Sequence, residues 1–276
     1  MKVVRAAAIG FCHGIRRAVK LVEEAATEHG TLYCLHDVAH NHEVMHALKA
    51  RGVVRVDDVS EIPHGSTVAV TAHGATQEMF AAFEARGLHV VDATCPIVHR
   101  AQQRVAELAS EGRYVIVYGS STHQEVLGLL SHASQGGEAQ VDASAVTLGD
   151  RPIGLIAQTT REPQHFRAFA DSVCERASND CRAEDTTCAQ PMLRYQTAVE
   201  LADAVDAYVV IGSKTSANCT HLAERCEETG KPTFFIDNAD EIDPAQFAAF
   251  SVIGLAAGAS TPDNTIDAVE ARLLAI

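Results

Sequence analysis

The chain has 276 residues, 47% of them apolar and 21% charged, enough for a large core and too evenly mixed for a disordered tail. Its formal net charge is −14 and its lysines and arginines form no stripe, which excludes nucleic-acid or anionic-membrane binding by bulk charge. A small anion can still be gathered locally by backbone amides, histidines and helix N-termini.

The N-terminus reads MKVVRAAAIGFCHG. Its apolar run is too short for a signal peptide and no cleavage site follows, so it is read as a buried first strand. No apolar run approaches the roughly 18 residues of a membrane span, and the expectation is a cytoplasmic protein with no membrane partner. Eight cysteines are present. Without a secretory signal a disulfide framework is disfavoured, and reduced thiols, some of them metal ligands, are expected. No Cys-x-x-Cys pair occurs, which argues against a zinc ribbon or a ferredoxin-type run. Any metal site has to be assembled from distant parts of the chain.

Along the chain, short β-branched runs alternate with amphipathic helical stretches, the pattern of parallel βα units. These units repeat three times. Cys12 ends VVRAAAIGFC and precedes a helix; Cys95 ends LHVVDATC and precedes PIVHRAQQRVAELASEG; Cys188 ends RAEDTTC and precedes AQPMLRYQTAVELADAVD. After each helix comes a strand (TLYCLHDV, RYVIVYGS, AYVVIGSK) with a polar loop (AHNHEV, THQEV, TSANCT), and later a strand ending in small polar residues (VAVTAHG, IGLIAQTT, SVIGLAAGAS). The expected fold is α/β, with three pseudo-equivalent lobes over residues 12–94, 95–187 and 188–276, the last completed by the N-terminal strand 1–11. Each lobe carries a small, mostly parallel sheet. Ligands bind beyond the carboxyl ends of parallel strands, so three such units around a threefold axis would aim their strand ends at one central space.

Three thiolates are one short of saturating a cubane, so a [4Fe–4S] cluster held by Cys12, Cys95 and Cys188 would keep one iron open to a substrate hydroxyl. A sulfur-rich set also suits zinc. The ordinary fate of a lone cysteine is a small buried hydrophobe, which is the reading given to Cys34, Cys174, Cys181, Cys219 and Cys226. His40, His73 and His123 sit just past strand ends, where histidine can donate to an anion or serve as an ordinary loop residue. Glu125, two residues after His123, could deliver a proton as general acid or simply occupy a helix first turn. Thr159 and Thr160 could relay a proton or cap the next helix. Ser216, Asn218 and Ser260 offer neutral donors suited to phosphate oxygens at a helix N-terminus.

In GFCHGIRRAV, VAHNHEV, TAHGATQ, VDATCPIV, HQEVLG, AQTT, GSKTSANCTHLAE and GLAAGASTPD, taken in order over essentially the whole chain, the sequence resembles the 4-hydroxy-3-methylbut-2-enyl diphosphate reductase family (IspH, also called LytB). The resemblance implies a [4Fe–4S] cluster on Cys12, Cys95 and Cys188. It also implies His40, His73, His123 and Thr160 in the substrate pocket, the diphosphate on Ser216, Asn218 and Ser260, and Glu125 as proton donor, helped by Thr159 and His123. The implied reaction is a two-electron reductive dehydroxylation of an allylic diphosphate, giving isopentenyl and dimethylallyl diphosphates in the non-mevalonate pathway. Electrons would come from a ferredoxin or flavodoxin, since no flavin or nicotinamide fingerprint is visible. Two departures stand out. Ala217 replaces the second of two adjacent serines, and after the third cysteine Pro191 and Tyr195 replace a Thr and a Gln, while Arg194 stays. They leave room for a divergent paralogue with another substrate. A quinolinate-synthase-like cluster enzyme would also use three cysteines on three lobes, but the motif order disfavours it. A non-enzymatic iron–sulfur or zinc module would leave Glu125 and the histidines without a task.

Overall fold

A computed structural model describes residues 1–39, 41–214 and 216–276. The chain opens with β1 (Lys2–Arg5) and α1 (His13–His29), and then runs through one pattern three times. The first pass is β2 (Leu32–Leu35), α2 (His42–Ala50), β3 (Val53–Val56), β4 (Thr67–Val70), α3 (Gln77–Ala85) and β5 (His89–Asp92), with α4 (Pro96–Ser110) leading onward. The second is β6 (Tyr114–Tyr118), α5 (Gln124–Leu130), β7 (Gly137–Gln140), β8 (Ile153–Ala157), α6 (Pro163–Arg176) and β9 (Cys181–Glu184), followed by α7 (Ala189–Val199). The third is β10 (Ala207–Ile211), α8 (Ala217–Glu227), β11 (Thr233–Ile236), the short α9 (Pro244–Phe247), β12 (Val252–Ala257) and α10 (Asp263–Leu274).

These strands form three four-stranded, all-parallel sheets. Sheet B is ordered β3-β2-β4-β5 and sheet C β7-β6-β8-β9. Sheet A, read in the same sense, is β11-β10-β12-β1. Each is thus second-first-third-fourth, and in sheet A the fourth strand is the N-terminal β1, paired with β12 from Lys2↔Val252 to Arg5↔Leu255. The chain divides into two compact units. Met1–Arg16, Ala39–Ala47 and Ala189–Ile276 carry sheet A; Arg17–Val38 and Leu48–Cys188 carry sheets B and C.

Position in the sheet explains the strand sequences. The central strands TVAV, IGLIA and AYVVI are buried along their whole length, as apolar runs covered on both faces must be. The edge strands VVRV and HVVD expose much more of their side chains. The helices obey the longer period: α1 buries Ala18, Val22, Ala25 and Ala26, one stripe of a 3.6-residue repeat.

Two expectations need correction. The strands before the three cysteines are shorter than the apolar runs suggest: β1 stops at Arg5, β5 at Asp92 and β9 at Glu184. Local turns end them, a bend at Ala7–Ala8 ahead of Gly10 (φ 69°) in the first case and aspartate turns in the others. Cys174 and Cys181 are not isolated buried thiols but form a disulfide, because the last turn of α6 and the first residue of β9 bring their Cα atoms to 5.4 Å. That separation is typical of the bond. Cys34 and Cys226 are buried as expected, and burial pushes each thiol up to about 12. Among the described residues no helix is long and apolar enough to cross a membrane.

Candidate active site

The singled-out residues lie at equivalent places in the repeat. Loops after first and third strands, or the helix turns they open into, carry His73 (after β4), His123 and Glu125 (after β6), Thr159 and Thr160 (after β8), Ser216 and Asn218 (after β10) and Ser260 (after β12). His40, after β2, lies outside the described residues. Each fourth strand leads to a cysteine that stands directly before a helix: Cys12 before α1, Cys95 before α4, Cys188 before α7.

At the end of sheet C, His123 is the N-cap of α5 and its Nδ1 accepts the Glu125 N–H at 3.2 Å. In the neutral ring Nε2 then carries the proton. Glu125 sits in the first turn of α5 and is 1% exposed. Its Oε1 accepts the Thr159 N–H at 2.6 Å, and burial raises its pKa above the ordinary glutamate value despite the bonds from Thr159. A carboxyl so placed keeps its proton more readily than one in water. Thr159 also receives the Cys188 N–H on its carbonyl, at 2.7 Å. One residue therefore joins the buried acid to one of the three cysteines.

Gln158 escaped the sequence reading. Its Oε1 accepts the Ser120 N–H at 3.2 Å and its Nε2 donates to Thr160 Oγ1 at 3.2 Å, tying the loops after β6 and β8 together. A Cβ on Gly119 would lie 2.9 Å from the Gln158 Cβ, so only glycine allows the approach. The one available signal was its place in AQTT. At the end of sheet B, His73 meets His123 edge-on, ring centroids 5.5 Å apart. The structure thus brings His73, His123, Glu125, Thr159, Thr160 and Cys188 into one connected set.

Cys95 and Cys188 are presented by the same device. In Asp92-Ala93-Thr94-Cys95 the aspartate Oδ1 accepts the Thr94 N–H at 2.9 Å and its hydroxyl at 2.5 Å. In Asp185-Thr186-Thr187-Cys188 the corresponding distances are 3.0 and 2.5 Å. This Asx turn ends the strand and sets the cysteine at the start of the helix. Thr186 Oγ1 further donates to the Ala157 carbonyl and accepts its N–H, extending the β8–β9 pairing towards Cys188.

In the sheet A unit, Ser216 is the N-cap of α8 without a side-chain capping bond. Its hydroxyl and that of Ser260 both bond the buried Cys219 thiol, which burial holds above its ordinary pKa. The Cys219 sulfur fills the space above two glycines: a Cβ on Gly212 or Gly258 would come within 2.5 or 2.2 Å of it. Tyr195 is buried, and its hydroxyl donates to the Asn218 carbonyl at 3.4 Å. Pro191 is buried in the first turn of α7.

Among the described residues no three His, Cys, Asp or Glu side chains stand together as a metal site. Cys12 belongs to one unit, Cys95 and Cys188 to the other. Their chemistry nonetheless fits a thiolate-held cluster. All three are half-buried and outside any disulfide, unlike the buried Cys34, Cys219 and Cys226 and the paired Cys174 and Cys181. Each opens a helix of 11 to 17 residues, whose N-terminal amides favour negative charge.

The family model described as LytB protein matches residues 3–274. The 4-hydroxy-3-methylbut-2-enyl diphosphate reductase of Geobacter sp. (strain M21) is 38% identical over 280 residues, covering 100% of this chain and 98% of that protein. The protein of the same name from Solidesulfovibrio magneticus is 37% identical, covering 98% of each. A solved structure of (E)-4-hydroxy-3-methyl-but-2-enyl diphosphate reductase, titled the terminal enzyme of the non-mevalonate pathway, superposes with a TM-score of 0.81 at 32% identity over the full length of both chains. The reductase structure from Plasmodium falciparum shares the fold, with a TM-score of 0.86 at 22% identity over 96% of this chain and 86% of that one. Model, full-length relatives and solved fold agree from end to end: this chain belongs to the LytB protein family.

Proposed function

We propose that the chain is a cytoplasmic [4Fe–4S] reductase that converts 4-hydroxy-3-methylbut-2-enyl diphosphate to isopentenyl and dimethylallyl diphosphates. The observation that carries the reading is the buried Glu125, bonded to Thr159, whose carbonyl in turn holds Cys188. An acid with a raised pKa beside a cysteine at a helix start is what a reductive dehydroxylation requires. The allylic alcohol takes two electrons and two protons and gives the alkene and one water.

On this reading Cys12, Cys95 and Cys188, one from each lobe (12–94, 95–187, and 188–276 with 1–11), hold the cluster. When bound, the cluster supplies the electrons and a Lewis-acidic iron for the hydroxyl. The chain's own residues do the rest. Glu125 carries the proton that leaves with the hydroxyl as water. The Thr159 N–H fixes the orientation of that carboxyl, and His73, His123 and Thr160 bind the substrate together with His40, which lies outside the described residues. Ser216, Asn218 and Ser260 donate to the diphosphate from the first turn of α8 and the loop after β12. Electrons arrive from an external ferredoxin or flavodoxin.

The test is an anaerobic assay with reduced methyl viologen and a panel of allylic diphosphates, beside iron and sulfide analysis. Turnover of the 4-hydroxy compound in step with iron content supports the reading; iron-loaded protein without such turnover rejects the substrate. A second reading, a paralogue acting on a different substrate, is favoured by the Tyr195 contact with the Asn218 carbonyl, which places a departing residue against the proposed diphosphate subsite. Turnover of another member of the panel would select it.

A further inference from the structure

Cys95 and Cys188 each follow an Asp-x-Thr turn, and Cys12 does not: Ile9, Gly10 and Phe11 precede it. None of these three has a side chain that can close an Asx turn. Something else must hold this loop, and helix α7 does so at two points one turn apart. Thr197 Oγ1 accepts the Ala8 N–H at 3.2 Å. Arg194, 5% exposed, sends Nε and Nη2 to the Gly10 carbonyl at 3.1 and 2.6 Å. Its Nη1 binds the carbonyl and side-chain oxygens of Gln190, both at 3.0 Å, so the guanidinium is locked to its own helix before it reaches the loop.

The loop is shaped to meet it. Gly10 lies at φ 69°, and a Cβ there would come within 2.6 Å of Ile266 Cδ1 and 3.2 Å of the Thr261 carbonyl. Beyond the clamp the Cys12 N–H donates to the Ala259 carbonyl at 3.1 Å, and Cys12 Sγ accepts the Ile15 N–H at 3.4 Å. Two N–H groups of one rigid plane converging on a single carbonyl is a guanidinium geometry that the single ammonium of lysine does not reproduce.

We propose that Arg194 is the positioning residue for Cys12, doing from helix α7 what Asp92 and Asp185 do for the other two cysteines. The inference rests on the reading of Cys12 as a cluster ligand, and its test separates the two. Wild type, Arg194→Lys and Cys12→Ser are purified anaerobically, and iron release to a ferrous chelator is followed. Alkylation of Cys12 and Cys95 is then measured by mass spectrometry on full-length chain prepared without iron. With a charge-assisted, buried hydrogen bond lost, Arg194→Lys should release iron about tenfold faster and alkylate at Cys12 about tenfold faster, with Cys95 unchanged. Cys12 alkylating at the wild-type rate overturns the proposal, and so does an equal acceleration at Cys95, which would mark general loosening. If Cys12→Ser keeps its iron, the ligand reading falls and the alkylation rates alone decide the positioning role. Should Arg194→Lys not fold, Thr197→Val removes the other tie of the same loop and must raise Cys12 alkylation in the same selective way, or the tether is refuted.

Discussion

Sheets C and A share one strand order, yet their strand ends carry opposite chemistry. Sheet C ends in a buried acid whose pKa is raised by desolvation, with an imidazole at the N-cap before it. Sheet A ends in neutral hydroxyls around a buried thiol, with no titratable side chain at its helix cap. The strands are interchangeable buried apolar runs; the loops are not. A repeated βα frame supplies the positions and the residues just past the strand ends decide the chemistry, so the proposed proton delivery and anion binding should be separable by substitution.

The largest effect tests what the three sheets have in common. Cys12→Ser, Cys95→Ser and Cys188→Ser should each lose most of an iron and sulfide content of about four per chain, and with it turnover. Cys34→Ser and Cys226→Ser should lose none. Iron retained in all three of the first group would leave the common feature of the sheets without a role.

Next comes the sheet C end alone. Glu125→Gln should keep iron and substrate affinity but slow turnover by about 10²–10⁴-fold, the usual contribution of a positioned acid. The pH dependence has a definite sign. On the proposed role the protonated form is the active one, and its pKa is raised, so wild-type activity should fall as pH climbs through that value, and the variant should lack this limb. Stability follows by linkage: the folded chain binds the Glu125 proton more tightly than the unfolded chain, so the stability it contributes is present at low pH and declines as pH rises above the ordinary glutamate range. Denaturation midpoints against pH should be flatter in the variant.

The sheet A end predicts a smaller change. Ala217→Ser adds a donor at the first residue of α8 and should lower the KM for the allylic diphosphate by around tenfold, the value of one hydrogen bond to a charged group, with kcat unchanged. An unchanged KM sharpens the contrast in the other direction, towards a pocket reshaped by Tyr195 and Pro191. Smallest in its effect on activity is Cys174→Ser. The disulfide spans a sequence separation of 7, and loss of so short a loop should cost about 2–3 kcal/mol in urea unfolding, with iron content unaffected.

The sequence carried the frame because its signals were local or repeated. Full burial of β4, β8 and β10 is visible as runs of β-branched residues, and the three cysteines stand out by their matching places before amphipathic helices. Glu125 was legible as a candidate because its spacing from His123 is set within one helix turn. What stayed hidden depends on partners distant in sequence. Gln158 reaches Ser120 and Arg194 reaches Gly10, and neither pairing leaves a periodic trace. The Cys174–Cys181 bond stayed hidden for a different reason: its cysteines are only 7 apart, and the turn from α6 into β9 that brings them together carries no sequence signal of its own. The end of β1 is overextended in the sequence because the apolar run continues through Ala6–Phe11 while the backbone already bends at Ala7–Ala8.

Sheet A has its fourth strand from the beginning of the chain and the other three from the end. During synthesis β1 leaves the ribosome long before β12, its partner in the sheet. Sheets B and C draw on contiguous stretches and can close while the chain is still growing; sheet A waits for β12, and the loop it must close contains both other sheets, an entropic and kinetic handicap. Cys12 follows closely on β1, with its N–H bonded to Ala259. Its final setting therefore comes only after β12 and the loop behind it are made, so a chain stalled before them would lack one finished thiol position and, on the cluster proposal, be a poor recipient in metallocluster assembly. Moving residues 1–11 behind Ile276 in a circular permutant would shift that step from the last event of folding to a local one.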